Sequence, residues 1–334
     1  MTDTVEKKRL QILRILRDAN APVASQEITE KLKNTGYDIS ERTVRFHLLA
    51  MDKEGLTQYV DRHGRRITEK GLTELTNARI IERVGFLAGK IDQMSYRMAF
   101  DLASRTGTVV VNVSVIRREE LEASVPLMSR VFEGGYAMGR LLTLYRPGEQ
   151  AGELLVPDGC VGIGTVCSIT LNGILLAHGI PTYSRFGGLL EIVEGKPARF
   201  VAIINYDGTS LDPLEIFIKS GMTDYVGATE NGNGRIGASF REIPAASRER
   251  VLELAEELAE IGLGGFMRIG MPGRPLTEIP IEESRIGAIV IGGLNPVAIL
   301  EERGIHAQSR ALAGLVGFER LFPYTELSER MAAL

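Results

Sequence analysis

The chain has 334 residues, 44% of them hydrophobic and 25% charged, with a net charge of −4 and two cysteines. That length exceeds the usual single-domain size of roughly 100–200 residues, so more than one folding unit is expected, and the longest apolar runs fall short of the roughly 20 residues a bilayer requires. Cys160 and Cys167 form neither a CxxC pair nor a cluster with histidines, which disfavours metal and redox readings and leaves buried structural thiols as the expectation.

The first twenty residues mix Asp3, Glu6, Lys7, Lys8 and Arg9 with helically spaced leucines. A secretory leader would have a charged start followed by an apolar stretch, so a cytoplasmic protein is expected. Residues 1–80 hold 15 Lys+Arg against 12 Asp+Glu, a net of +3, which leaves −7 for residues 81–334. A basic head on an acidic body suits a nucleic-acid module joined to something that does not bind nucleic acid.

From Val5 to Ala19, Leu10, Leu13 and Leu16 recur at helical spacing until Ala21-Pro22 stops the run. Ser25 is read as an N-cap for a short helix over Gln26–Lys33, with Ile28 and Leu32 on one face. A turn at residues 34–38 leads to Ser40, which is expected to cap a third helix whose Val44, Leu48 and Met51 face the core. Arg42, Thr43, Arg45 and Phe46 fall mostly off that stripe. Arginine forms bidentate bonds to guanine, threonine touches a thymine methyl and a helix start attracts phosphate, so with Ser40 they carry major-groove chemistry. Gly55 ends the helix. Leu56–Val60 then alternates like a strand and turns back through Arg62, His63, Gly64, Arg65 and Arg66. Three helices and a basic hairpin predict a winged helix over residues 1–78. The competing reading is a helical interaction domain whose arginines only solvate its surface.

Residues 68 to about 81 are read as a linker helix, and the region from Ile91 to Leu102 as a helix that yields to a hairpin arm. Val109, Val111, Val113 and Val115 mark a strand, Arg118–Phe132 a helix and Met138–Tyr145 a further strand. An internal repeat follows: Val161–Ile180 aligns without a gap with Ile286–Ile305 at a shift of 125 residues, and Ser184-Arg185 falls on Ser309-Arg310. Val111–Val115 matches Ile236–Phe240 at the same shift. Leu189–Ile204 and Leu214–Lys219 are read as strands between the copies. The fold expected is an N-terminal winged helix-turn-helix joined to a mixed α/β regulatory domain with an internal duplication, residues 79–325. Strand order is left open.

Two repeat-related strand-to-helix junctions carry the candidate chemistry of the body. One runs through Ser168 and Thr170, the other through Gly292, Gly293 and Asn295. Such junctions present backbone N–H groups and the positive end of a helix. Arg185 and Arg310, each after a serine, are placed to pair with a carboxylate, which makes a dicarboxylate the preferred ligand class. The alternative is that the glycines serve turns and the arginines pair with surface acids. Gly162-Ile163-Gly164 is not a dinucleotide fingerprint, because it lies within or before the strand. His178 and His306 stand beside no nucleophile motif, so no catalytic residue, metal or cofactor is assigned.

The segments GYDISERTVRFHL, VNVSVI and VPDGCVGIGTVCSITLNGILLAHGIPTYSRFGGLLEI, with the later echo of the last, resemble the NrpR nitrogen-regulatory repressors of methanogenic archaea and some bacteria over nearly the whole chain. The resemblance implies a head that binds double-stranded operator DNA, a single NrpR regulatory domain, and 2-oxoglutarate as inducer. With a single head of net charge +3, a homodimer is expected. Two other readings stay open: an enzyme acting on a carboxylate with an appended regulatory head, and a body that only dimerises the heads.

Overall fold

The computed structural model describes residues 2–19, 21–35, 37, 39–60, 63–75, 86–152 and 154–332. The chain divides into two compact units, Met1–Gly85 and Phe86–Leu334.

In the first unit, α1 (Thr2–Asp18), α2 (Ser25–Asn34) and α3 (Glu41–Lys53) precede a hairpin of β1 (Thr57–Val60) and β2 (Gly64–Ile67) and a helix, α4, described over residues 69–75. The helical stripes converge on one core that includes Ile12, Leu13, Leu16, Ile28, Leu32, Val44, Leu48 and Met51. Ser40 caps α3 as its spacing predicts, accepting the Thr43 N–H at 3.2 Å. Ser25 does not cap α2: Ala24 holds that position, and the Ser25 hydroxyl donates instead to Glu41 Oε1 at 2.8 Å. Gly36 and Asp38 of the expected turn, and the part of the expected linker helix beyond residue 75, lie outside the described residues.

The hairpin is anchored at both ends. Asp52, in the last turn of α3, accepts from Thr57 Oγ1 at 2.6 Å and Arg65 Nε at 2.8 Å. Val23 bridges Arg65 on the other side through two backbone bonds of 2.9 and 3.0 Å. That approach requires glycine beside it: Gly64 has φ +109°, and a Cβ there would lie 2.2 Å from the Val23 carbonyl oxygen.

The second unit begins with α5 (Leu87–Arg97), which yields to β3 (Phe100–Asp101) paired with the start of β4 (Thr106–Arg117). Then come α6 (Leu121–Glu133), β5 (Leu141–Tyr145), a short pair β6 (Gln150–Ala151) and β7 (Leu154–Leu155), β8 (Cys160–Val166) and α7 (Ile169–Ala177). The chain continues through β9 (Tyr183–Val193), β10 (Lys196–Asn205), α8 (Pro213–Lys219), α9 (Tyr225–Asn231), β11 (Gly234–Pro244), α10 (Arg248–Glu260) and β12 (Phe266–Ile269). It closes with β13 (Arg285–Ile291), α11 (Asn295–Glu302), β14 (Gln308–Gly317), β15 (Phe322–Pro323) and α12 (Leu327–Ala332).

Leu214–Lys219, expected to be a strand, is helical. Asp212 accepts the N–H groups of Leu214 and Glu215 at 2.9 and 3.2 Å, and Pro213 stands at the first helical position. A cap followed by proline starts a helix.

The long strands form two antiparallel sheets, ordered β14-β4-β8-β5-β15 and β10-β9-β11-β13-β12. Each is completed by a strand from the other part of the unit: β9, which follows α7, pairs with β11, and β14, which follows α11, pairs with β4. Helices α7 and α11 are buried on all sides over Ile169–Leu175 and Asn295–Leu300, as helices enclosed within a core are.

Substituting Gly64→Ala should detach the hairpin from Val23. The expected result is loss of hydrogen-exchange protection at the Val23 and Arg65 amides and destabilisation of the first unit by more than about 1 kcal/mol, with the second unit unchanged.

Candidate nucleic-acid interface and ligand cavity

The N-terminal half of α3 carries Arg42 and Arg45, and the hairpin carries Arg65 and Arg66. Arg42 is exposed and makes no hydrogen bond or ion pair among the described residues. Thr43 Oγ1 lies 2.9 Å from Ser40 Oγ, so both hydroxyls sit at the helix start. Arg45 is exposed yet held: it donates to Glu41 Oε1 at 2.7 Å and to Ser25 Oγ at 3.1 Å. The Ser25 hydroxyl, then Arg45, hold the Glu41 carboxyl below its ordinary range. Phe46 is 70% exposed and Leu49 55% exposed on the same helix. Together they form an apolar strip beside arginines, the combination that contacts thymine methyls and phosphates at once.

In the hairpin, His63 and Arg66 are exposed, and Arg66 donates to Gln58 Oε1 at 3.0 and 3.2 Å. Arg65 points the other way. Its guanidinium pairs with Asp52, lies 5.3 Å from the Tyr59 ring centre and is largely buried. The alternation of side chains along a strand places neighbouring arginines on opposite faces. Arg62 lies outside the described residues.

In the second unit the structure brings the two helix starts together. Gly293 sits where a Cβ would come 2.3 Å from Asn112 Nδ2 and 2.5 Å from the Val166 carbonyl oxygen, so the second junction abuts the first. Between them lies a cavity of about 20 Å³ lined by Asn112, Cys167, Ser168, Tyr206, Asp212, Leu214, Ser239, Gly292, Gly293, Leu294 and Ala311.

Ser168, Gly292 and Gly293 therefore share one space. The other residues singled out from the sequence have partners within the fold or lie elsewhere. Thr170, fully buried, exchanges two hydrogen bonds with the Val110 backbone at 3.0 and 3.1 Å. Asn295 accepts from the Tyr225 hydroxyl at 2.6 Å and donates to the Tyr136 and Gly237 carbonyls at 2.8 and 2.9 Å. Arg185 pairs with Glu242 at 2.9 Å and donates to the Pro280 carbonyl. Arg310 is exposed on β14, opposite Val113.

Sequence reasoning missed Asn112, Tyr206, Asp212, Ser239 and, behind them, Arg241. Arg241 donates to Asn172 Oδ1 at 3.1 Å and to Ser168 Oγ at 3.3 Å, and its guanidinium lies 5.7 Å from the Tyr206 ring centre. A signal was present: under the 125-residue shift Arg241 stands where the first copy has Ile116, a charged residue in place of an apolar one. Burial pushes the Cys167 thiol and the Tyr206 hydroxyl each up to about 12. Burial, and next the nearby Glu215 carboxylate, push Asp212 up to about 6.

Comparison with known proteins sets these features in context. The family described as NrpR regulatory domains NRD1 and 2 matches residues 84–322, and a ribonuclease R winged-helix domain matches residues 10–75. The chain is 34% identical over 321 residues to the global nitrogen regulator NrpRI of Methanosarcina mazei, covering 96% of this chain and 99% of that protein. It is 33% identical to the global nitrogen regulator NrpR of Methanococcus maripaludis and 32% identical to that of Methanocaldococcus jannaschii. These matches cover 92% and 95% of this chain and about half of each relative, 53% and 55%. A solved structure of a nitrogen repressor-like protein from Methanococcus jannaschii superposes with a TM-score of 0.62 at 28% identity, over 72% of this chain and 98% of that one.

Two outcomes follow from the buried groups. Thr170→Val keeps the side-chain shape but strands the Val110 N–H, and should lower unfolding free energy in a urea titration by about 1–3 kcal/mol. Asp212 is raised in the folded chain, so the stability it confers is complete below its unfolded value near 4 and is lost as pH rises through about 6. Asp212→Asn keeps a capping oxygen without the charge. The parent should therefore lose stability relative to that variant between pH 4 and 7, by on the order of 2–3 kcal/mol, in unfolding curves recorded at each pH.

Proposed function

The chain belongs to the NrpR family of nitrogen regulators, and from that premise we propose that it is a transcriptional repressor of nitrogen-assimilation genes whose winged helix reads double-stranded operator DNA. One observation carries the DNA reading. A capped helix presents Arg42, Arg45 and Phe46 to solvent, and the hairpin of the same unit presents His63 and Arg66. A helix of this kind enters the major groove by its N-terminal residues, while a basic hairpin follows the backbone.

The body acts in this reading as a sensor and not as an enzyme, in keeping with relatives that are regulators by name. Its ligand is a small dicarboxylate, 2-oxoglutarate being the candidate inducer, bound between the abutting helix starts. A duplicated unit underlies the body, and the matching order β14-β4-β8-β5 and β9-β11-β13-β12 supports that reading. A homodimer brings two heads to a two-part operator. Phosphate neutralisation supplies much of the affinity of such proteins, and one head with a net of +3 offers little of it.

An electrophoretic mobility shift on the protein's own upstream DNA, with and without 2-oxoglutarate, tests the whole reading. Arg42→Ala should weaken binding by at least about tenfold and reduce the salt slope by roughly one, with the melting temperature unchanged. Arg65→Ala should lower the stability of the head first, because it breaks the Asp52 pair. Unaltered operator affinity of Arg42→Ala and Arg45→Ala at matched salt would exclude α3 as the reading helix.

A further inference from the structure

Arg241 is 1% exposed, and its Nη1 has no hydrogen-bond partner among the described residues. A guanidinium carries five N–H donors and stays charged at any accessible pH. Here Nε and Nη2 are used by Asn172 and Ser168, while the Nη1 donors are closed off from water with nothing to accept them. Buried charge of this kind is normally neutralised by an anion.

The surroundings do not supply one in full. Arg241 lies at the start of α7, whose backbone presents its positive end there. Asp212, an acid of the same cavity wall, already spends one oxygen on the Leu214 and Glu215 N–H groups, and among the described residues no ion pair joins it to the guanidinium. Ser168 and Tyr206, which touch or face the guanidinium, both line the cavity between the two helix starts, and Asn112 and Ser239 add polar groups to the same wall. The site is thus a buried donor set next to a small polar space, with Ser168 and Tyr206 standing between the guanidinium and that space.

We propose that Arg241 is the anchor for a carboxylate of the small ligand sensed by the body, received in the cavity between Cys167-Ser168 and Gly292–Leu294. This rests on the reading above that the body binds a small dicarboxylate, and it moves the anchor from Arg185 and Arg310 to a residue without a counterpart in the first copy. Arg185 is already paired with Glu242, and Arg310 is exposed to water, where an ion pair contributes little.

At about 20 Å³ the cavity admits a group the size of a water molecule. The ligand therefore enters by displacing a wall. Tyr206 and Asp212 form that wall and bound the segment joining β10 to α8, in which Leu211 is 58% exposed. Binding consequently links occupancy at Arg241 to the position of residues 206–212.

Isothermal titration of the full chain with 2-oxoglutarate, beside mobility shifts on its operator, tests the assignment. The parent should bind, Arg241→Met should bind more than about tenfold more weakly, Arg241→Lys should not restore parental affinity, and Arg310→Ala should match the parent within about threefold. Arg241→Met should melt no lower than the parent, since it removes an unpaired buried charge and keeps the volume. If Arg241→Met binds like the parent, the site is wrong and the sensor reading survives. If the parent binds through Arg241 without any change in operator affinity, the sensor reading is wrong and the site survives. Absence of binding to the parent at millimolar ligand overturns both. Should Arg241→Met not fold, hydrogen exchange on the parent decides: ligand-dependent protection at 167–172 and 206–212 supports the site, and protection only elsewhere overturns it.

Discussion

A strand in a buried sheet needs hydrogen-bonding neighbours, because backbone N–H and C=O groups shut away from water are costly to leave unpaired. In the body neither sheet finds all its neighbours locally. β4 is completed by β14 and β11 by β9, so each sheet borrows a strand that follows the other part's inner helix. The two crossings bring the starts of α7 and α11 against each other, with Gly293 as the point of closest approach. The small polar space between them is a by-product of that exchange, and so is the burial of everything around it.

Near-symmetric scaffolds become useful where the symmetry fails. The two inner helices are equivalent in position, and both are held by side-chain hydrogen bonds to a strand backbone, Thr170 to Val110 and Asn295 to Gly237. One side then carries Arg241 where the other carries Ile116. Asn172 and Ser168 reach the arginine from α7, and Tyr206 and Asp212 come from the connection between β10 and α8. A single substitution of isoleucine by arginine is thus enough to turn a packing contact into a charged one.

Much of the architecture was legible in sequence because it is written in local periodicity. The α3 stripe of Val44, Leu48 and Met51, the Ser40 cap and the Val109–Val115 alternation each express a rule that acts within a few residues. Leu214–Lys219 failed because so short an apolar run fits a strand as well as a helix, and the deciding signal lay at its N-terminal edge in Asp212-Pro213. Strand order was not legible, since pairing across nearly two hundred residues leaves no local trace. The site was half legible for the same reason. Ser168, Gly292 and Gly293 follow from the repeat, whereas Arg241, Tyr206 and Asp212 join them only through tertiary packing, and Thr170 and Asn295 have the right chemistry but already have partners within the fold.

The exchange of strands also has a consequence for synthesis. The Ser114 and Ser309 hydroxyls that meet across β4 and β14 are 195 residues apart in the chain. On a ribosome that releases the N-terminal end first, β4 emerges long before its partner exists, and its unpaired edge waits until β14 has been made. The body therefore cannot mature segment by segment. It closes late and all at once, and a nascent chain stalled before β14 presents an open, valine-rich edge of the kind that chaperones hold or that aggregates.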